Sequence, residues 1–151
     1  MNQHRNGLML AVVVGGLMLT AAQNPAFAQD GTGKACSNAS LRGTYGIQMQ
    51  GTRPAPGGTE TLIGVVVRHY DGEGGVTQVD NIKGSITGIV PDRPGTGTYQ
   101  VNDDCSVVVD FQPAPGVLIQ ERMVIVDHGH ELRSITVVPA QVMVTSVQIR
   151  M

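Results

Sequence analysis

The chain has 151 residues, of which 41% are hydrophobic, 15% are charged and only 3% are aromatic, and its formal net charge at pH 7 is −2. Its ten Lys and Arg residues are scattered along the sequence, and no basic run is interleaved with aromatic side chains. Nucleic acids and anionic surfaces attract proteins through such basic patches. We therefore expect no nucleic-acid partner.

Residues 1–28 have the features of a secretory signal peptide. A short basic start precedes an uncharged apolar run over residues 7–22, and the segment ends in Ala-Phe-Ala at residues 26–28, the small-x-small pattern that signal peptidase accepts. The apolar run is short of the roughly 20 residues that span a bilayer, which argues against a retained anchor. We predict a mature protein that begins at Gln29, is exported to the periplasm or the extracellular space, and has no membrane contact after cleavage.

The rest of the chain has the composition of a β protein. Residues 29–35 are polar and are expected to form a flexible N-terminal segment, and residues 36–151 are expected to form a single domain. In this domain Val and Ile recur in short runs that Gly, Pro, Asp and Asn clusters separate, a pattern that favours strands joined by turns. Eight strands are predicted, at about 42–51, 60–70, 76–82, 84–90, 96–102, 106–112, 117–127 and 131–149. The last run is expected to split near Pro139, and residues 76–90 are alternatively one long bent strand.

Four short connections carry turn residues, at Asp71–Gly75, Asn102–Asp104, Pro113–Gly116 and Asp127–His130. Short turns between successive strands make the neighbours antiparallel, so the sheet should be a meander. So large a sheet must close into a barrel or fold into a sandwich to protect its edges, and glycines inside the strand runs favour the bends of a barrel. We predict an all-β fold, a small antiparallel β-barrel of about eight strands, with a β-sandwich as the second choice. An outer-membrane barrel is disfavoured because its aromatic girdles are missing.

The chain contains two cysteines, Cys36 and Cys105. In a small exported domain an even number of cysteines indicates disulfide bonding. No C-x-x-C motif is present and no histidine lies near either cysteine in sequence, which disfavours a redox-active or metal-binding thiol. We predict a Cys36–Cys105 disulfide.

Three motifs resemble a group of small exported bacterial proteins. They are C-S-N-A-S-L-R-G-T-Y-G at residues 36–46, D-G-E-G at residues 71–74 and G-T-Y-Q-V-N-D-D-C at residues 97–105. The group begins with the pattern C-S-N-a-t-L-x-G-x-Y-G and is similar to the barrel of allene oxide cyclases and the wider lipocalin-like class. The resemblance implies a barrel held by the cysteine pair. Its motifs are structural and carry over no catalytic residue, and the match weakens after Cys105, where Ser106-Val107 replaces the usual Thr-Gly.

Two polar clusters interrupt apolar strands and supply the candidate ligand-binding residues: His69, Tyr70, Glu121 and Arg122. The first cluster, Arg68 to Asp71, is capable of acid–base chemistry at the end of a strand. In the second, strand alternation puts Glu121 and Arg122 on opposite faces, so one of the two charges is expected to point into the barrel. A buried ion must be paired or must shift its pKa. The alternative interpretation is a solvated pair in the middle of a strand.

His128 and His130 are weak candidates for a metal site, with Asp127, Glu131 or Asp71 as oxygen donors. Gly129 makes this segment the expected tip of a hairpin, so a solvated turn is the favoured interpretation. The chain has no G-x-S-x-G, S-x-x-K or H-E-x-x-H motif and no phosphate-binding glycine loop. We therefore name no catalytic residue and expect no cofactor and no metal.

Three classes of function remain open. The favoured one is a noncatalytic exported barrel that binds a small apolar ligand, which suits an aliphatic interior. The second is a structural or interaction protein with a filled core, for which a protein partner or a homo-oligomer is left open. The third is a barrel cyclase or isomerase, by analogy of fold alone. The size of the interior discriminates best between them.

Overall fold

A computed structural model describes residues 35–151, so the predicted signal peptide lies outside the described residues. Residues 35–151 form a closed antiparallel barrel in which each strand pairs with its neighbours in sequence and the first strand pairs with the last. The predicted all-β meander barrel is confirmed. Its strands are β1 (Gly43–Ala55), β2 (Gly58–Tyr70), β3 (Gly75–Gly84), β4 (Gly88–Val101), β5 (Ser106–Ala114), β6 (Val117–Val126), β7 (Glu131–Val138) and β8 (Met143–Arg150).

The strand boundaries differ from the prediction at the β1–β2 hairpin, where β1 continues to Ala55 and β2 begins at Gly58, and most of all between residues 84 and 102. Of the predicted strand 84–90, Gly84 ends β3, residues 85–87 form a turn and only residues 88–90 belong to β4, which continues to Val101 and includes most of the predicted strand 96–102. The turn also shows that the alternative of one bent strand over residues 76–90 is wrong.

Strand β4 contains a bulge at Pro91 and Asp92, where the register with β3 shifts between Asp80 and Ile82. There the backbone N–H of Asp92 donates to Asn81 Oδ1 at 3.1 Å, whereas Pro94 stays in register opposite Val79. Bulges are sites where a strand tolerates proline. The expected split of the last run is confirmed, since β7 ends at Val138 and β8 begins at Met143.

One end of the barrel, here named the closed end, is filled by aromatic side chains. The rings of Tyr45, Tyr70 and Tyr99 pack edge to face, with centroids 5.3 and 5.1 Å apart along the row. Leu41, from the short 3₁₀ helix Asn38–Leu41, is fully buried in the same cluster. The predicted Cys36–Cys105 disulfide is present at this end and joins the segment before the helix to the turn between β4 and β5.

The burial of the strands alternates along most of the barrel. In β2 every second residue from Glu60 to Tyr70 is buried and those between are exposed. This alternation follows from the two-residue period of a strand, and it decides which side chains reach the lumen. Within residues 35–151, no helix has the length and apolar character needed to cross a membrane.

Candidate functional site

The half of the lumen away from the closed end contains a cavity of about 90 Å³. Half of its lining residues are apolar side chains that strand alternation turns inward, among them Ile47, Met49, Leu62, Val66, Ile82 and Val144, and the other half are polar or charged. Arg53 and Arg93 also line it, and their side chains are 24% and 27% exposed, so the cavity reaches solvent at their end of the barrel. We call this end the open end.

A buried ion pair forms the floor of the cavity. Arg68 on β2 donates from Nη1 and Nη2 to the two carboxylate oxygens of Glu121 on β6, each at 2.9 Å. The side chains of Arg68 and Glu121 are only 3% and 14% exposed. Burial alone would lower the pKa of Arg68, but the Glu121 carboxylate and the Tyr70 hydroxyl together outweigh burial and raise that pKa. The guanidinium therefore stays charged and rigidly oriented by a bidentate contact.

Hydrogen bonds extend from this floor in two directions. Toward the open end, Arg68 Nε donates to Gln78 Oε1 at 2.7 Å, and Gln78 Nε2 donates to Asp80 Oδ2 at 3.1 Å. Toward the closed end, the Tyr70 hydroxyl donates to Gln148 Oε1 at 2.9 Å. Burial raises the pKa of Tyr70 to about 12, so its hydroxyl stays protonated and serves as a donor. The polar side chains of the lumen are thus fixed by one another.

Two more ion pairs lie nearer the open end. Arg93 donates to both carboxylate oxygens of Asp80, from Nε at 3.0 Å and Nη2 at 2.9 Å. Arg53 Nε donates to Glu60 Oε1 at 2.6 Å. The Glu60 carboxylate is fully buried and also accepts the backbone N–H groups of residues 86 and 87, at 3.0 and 2.9 Å. The backbone N–H of Thr87 contributes most to lowering the pKa of Glu60, to about 2.

A pair of hydroxyl groups completes the polar part of the cavity. Ser134 on β7 and Ser146 on β8 are paired across the two strands, and their Oγ atoms lie 2.7 Å apart. Both residues are buried and both line the cavity, as does Thr136 two residues further along β7. The arrangement suits a molecule that places a polar group near the floor and an apolar body along the aliphatic walls.

The structure brings together two of the four candidate ligand-binding residues. Tyr70 and Glu121 both lie in the lumen, and Arg68 joins them because it donates to the Tyr70 hydroxyl at 3.3 Å as well as to Glu121. His69 and Arg122 lie on the outer face of the barrel: His69 Nδ1 is 3.2 Å from Thr44 Oγ1, and Arg122 is exposed. Of the charges at positions 121 and 122, Glu121 is therefore the one that points inward, which explains its need for a cation.

Sequence reasoning did not identify Arg68 as the partner of Glu121, nor Asp80, Ser134 and Ser146 as cavity residues. The available signal was strand alternation, which places Arg68 on the same face as Tyr70. That signal was ambiguous because the opposite face of β2 is apolar as well: Val65 and Val67 are 61% and 52% exposed. Hydropathy alone did not show which face of β2 is inside.

The two weak metal candidates lie on the turn between β6 and β7. His128 and His130 are both exposed, and His128 Nδ1 is 3.9 Å from Asp127 Oδ1. In the described part of the chain, no three His, Cys, Asp or Glu side chains are placed to hold a metal ion together. Asp127 and His128 have φ angles of 47° and 55°, the left-handed backbone of a tight turn.

Comparison of the chain with protein-family models, with curated proteins and with solved structures finds no match. The chemistry of the lumen is therefore what indicates a function. Its elements are an aliphatic wall, a pair of hydroxyls and fixed ion pairs, with access from one end.

Proposed function

We propose that the chain is an exported, noncatalytic β-barrel that binds a small, mainly apolar ligand in its lumen. The observation that carries the proposal is the cavity itself, which has aliphatic walls, a polar floor and an opening to solvent. Binding sites for small molecules are typically concave and mostly apolar, with a few polar groups that orient the ligand. The interior of an eight-stranded barrel is either filled by side chains or wide enough for one small ligand, and in this barrel a cavity remains.

The state of Glu121 supports a noncatalytic role. Both of its carboxylate oxygens accept hydrogen bonds from Arg68, so a proton taken from a ligand would neutralise Glu121 and leave the buried guanidinium without its counterion. The disulfide supports export, because disulfides persist in oxidising compartments and are rare in the cytosol.

The cavity also limits the size of the ligand. Its volume of about 90 Å³ is smaller than that of an engineered protein cavity of about 150 Å³ that holds benzene. A ligand of a few heavy atoms would fit entirely, and a longer one would extend through the open end between Arg53 and Arg93. The proposed ligand is therefore short or linear rather than a bulky ring system.

Native mass spectrometry of the protein recovered from its own host, paired with its denatured mass, tests the proposal. We expect a reproducible small-molecule increment in the native mass that disappears on denaturation. Val144 faces the cavity and Val147 lies on the outer face of the same strand, so Val144→Phe should remove the increment and Val147→Phe should retain it. A folded wild-type protein with a bare mass, or an increment that Val144→Phe leaves intact, would contradict the proposal.

A second candidate is an interaction protein, and the outer face of the barrel favours it. On β2, Ile63, Val65 and Val67 are 52–61% exposed, and Val79 of β3 lies beside Val67. Contiguous exposed apolar patches often mark contacts with another protein. Native mass spectra that show a second polypeptide and a bare lumen, with the polypeptide lost in Val65→Asp, would favour this candidate over the first.

A further inference from the structure

We infer that the ligand of the lumen is an uncharged molecule with one hydrogen-bonding oxygen, as in a short alcohol or ketone. This inference rests on the proposed ligand-binding function and adds the chemical class of the ligand. Two independent observations carry it: the balance of charge in the lumen and the unused hydrogen-bonding capacity of the two serines.

Three Arg and two carboxylate side chains of residues 35–151 line the cavity, and each belongs to an ion pair; the three pairs have no net charge because Glu60, which is not itself a lining residue, pairs with Arg53. The pairs are Arg53–Glu60, Arg68–Glu121 and Arg93–Asp80. A ligand carboxylate would enter as an additional anion next to Glu121 and Asp80, and a ligand ammonium would be an additional cation next to Arg68 and Arg93. A charge moved out of water without its own partner is strongly disfavoured. The lumen should therefore discriminate against both ions.

The serine pair offers a hydrogen bond that the protein does not use. When one of the hydroxyls of Ser134 and Ser146 donates to the other, the acceptor keeps its own O–H proton. Elsewhere in the described chain no donor or acceptor engages either Oγ, so this proton is available to an oxygen atom in the cavity. The unused lone pairs can also accept a hydrogen bond from an alcohol.

The order of residues along β8 gives the orientation of the ligand. Ser146 is two residues further from the open end than Val144, and Val144 packs with Leu62 and Ile82. A ligand oxygen at Ser146 therefore lies deeper in the lumen than Val144, and its hydrocarbon part runs along the cluster of Leu62, Ile82 and Val144 toward the open end. In this arrangement the oxygen of an alcohol or ketone contacts the polar serine hydroxyls, and its hydrocarbon part contacts the aliphatic side chains.

Calorimetric titration of the mature protein with 1-hexanol, hexanoate and hexylamine at pH 7 tests the inference. The three probes share a six-carbon chain and differ in the charge of the head group. We expect hexanol to bind at least tenfold more tightly than either ion. The double variant Ser134→Ala/Ser146→Ala should weaken hexanol binding about fivefold, whereas Thr77→Ala on the outer face of β3 should leave it unchanged. The single serine variants replace the double variant if it does not fold.

The outcomes separate this inference from the proposed function. Hexanoate or hexylamine binding as tightly as hexanol would overturn the inference and leave the lumen as a ligand site. Hexanol binding that is insensitive to the serine substitutions would overturn the role of the hydroxyl pair. If no probe binds while the native mass carries an adduct, the ligand class is wrong and the proposed function stands. If no probe binds and the native mass is bare, the proposed function itself fails.

Discussion

The Glu121→Gln substitution tests whether the Arg68–Glu121 pair holds the middle of the barrel together. Arg68 is 3% exposed and donates to both oxygens of Glu121 at 2.9 Å, so the substitution leaves a buried guanidinium without its counterion. Removing one partner of a buried pair costs about 3–5 kcal/mol. Glu121 borders the cavity and is 14% exposed, so water can partly solvate Arg68, and we expect a loss of about 3 kcal/mol in the free energy of unfolding.

Urea unfolding with the disulfide intact measures this loss. With a slope of about 2 kcal/mol per molar urea, a loss of about 3 kcal/mol moves the midpoint down by about 1.5 M. The matched control is Arg122→Met, because Arg122 is the next residue and lies exposed on the outer face. Its effect should stay within about 0.5 kcal/mol.

A double variant isolates the charge from the packing. Replacing both partners, as Arg68→Met/Glu121→Leu, removes the uncompensated ion and should recover most of the stability lost in Glu121→Gln. A loss below about 1 kcal/mol in Glu121→Gln, close to that of the Arg122→Met control, would refute the reasoning that a desolvated ion pair joins β2 to β6.

Three further predictions concern the closed end and the rim of the open end. Cys36→Ser/Cys105→Ser should lose about 4 kcal/mol of stability in urea unfolding, since the disulfide closes a separation of 69 residues, and dithiothreitol should then have no additional effect. Glu60 has a folded pKa of about 2, below its ordinary 4.5, so its stabilising effect is present above about pH 4.5 and is lost as the pH falls toward 2. Between these pH values the melting temperature of Glu60→Gln should therefore fall less steeply than that of the wild type, and identical slopes would contradict the prediction. Tyr45→Phe removes the hydroxyl that donates to the Gly129 carbonyl at 2.7 Å and accepts from Arg150, and should cost about 1–3 kcal/mol; a thermal melt like that of the wild type would count against it.

The fold was predictable because its determinants are local. The Asp71–Gly75 turn illustrates this: Asp71 Oδ1 accepts the backbone N–H groups of Glu73, Gly74 and Gly75 at 2.7–2.9 Å, so the turn is encoded within five consecutive residues. Such turns between β-branched runs predict an antiparallel meander without knowledge of distant contacts. The error at 84–102 arose where Pro91 and Pro94 suggested a break that a bulge at Asp92 accommodates.

The site was only partly predictable because its contacts are distant in sequence. A partner was expected for whichever of Glu121 and Arg122 points into the barrel, but the partner of Glu121, Arg68, is 53 residues away on a strand that does not pair with β6. Only closure of the barrel in its observed register brings the two together across the lumen. The Ser134–Ser146 pair depends in the same way on the register between β7 and β8. Residue type alone does not distinguish these serines from those of an exposed turn.

Methyl-resolved NMR of the mature protein during a titration with 1-hexanol tests most directly whether the lumen is the binding site. Leu62 and Val144 line the cavity. Ile63 follows Leu62 in sequence and Val147 is on the same strand as Val144, but both of these side chains face outward. We predict saturable shifts of the Leu62 and Val144 methyl signals, with those of Ile63 and Val147 nearly unchanged. Shifts confined to the outward-facing methyls, or no saturable shift in the lumen, would contradict the account.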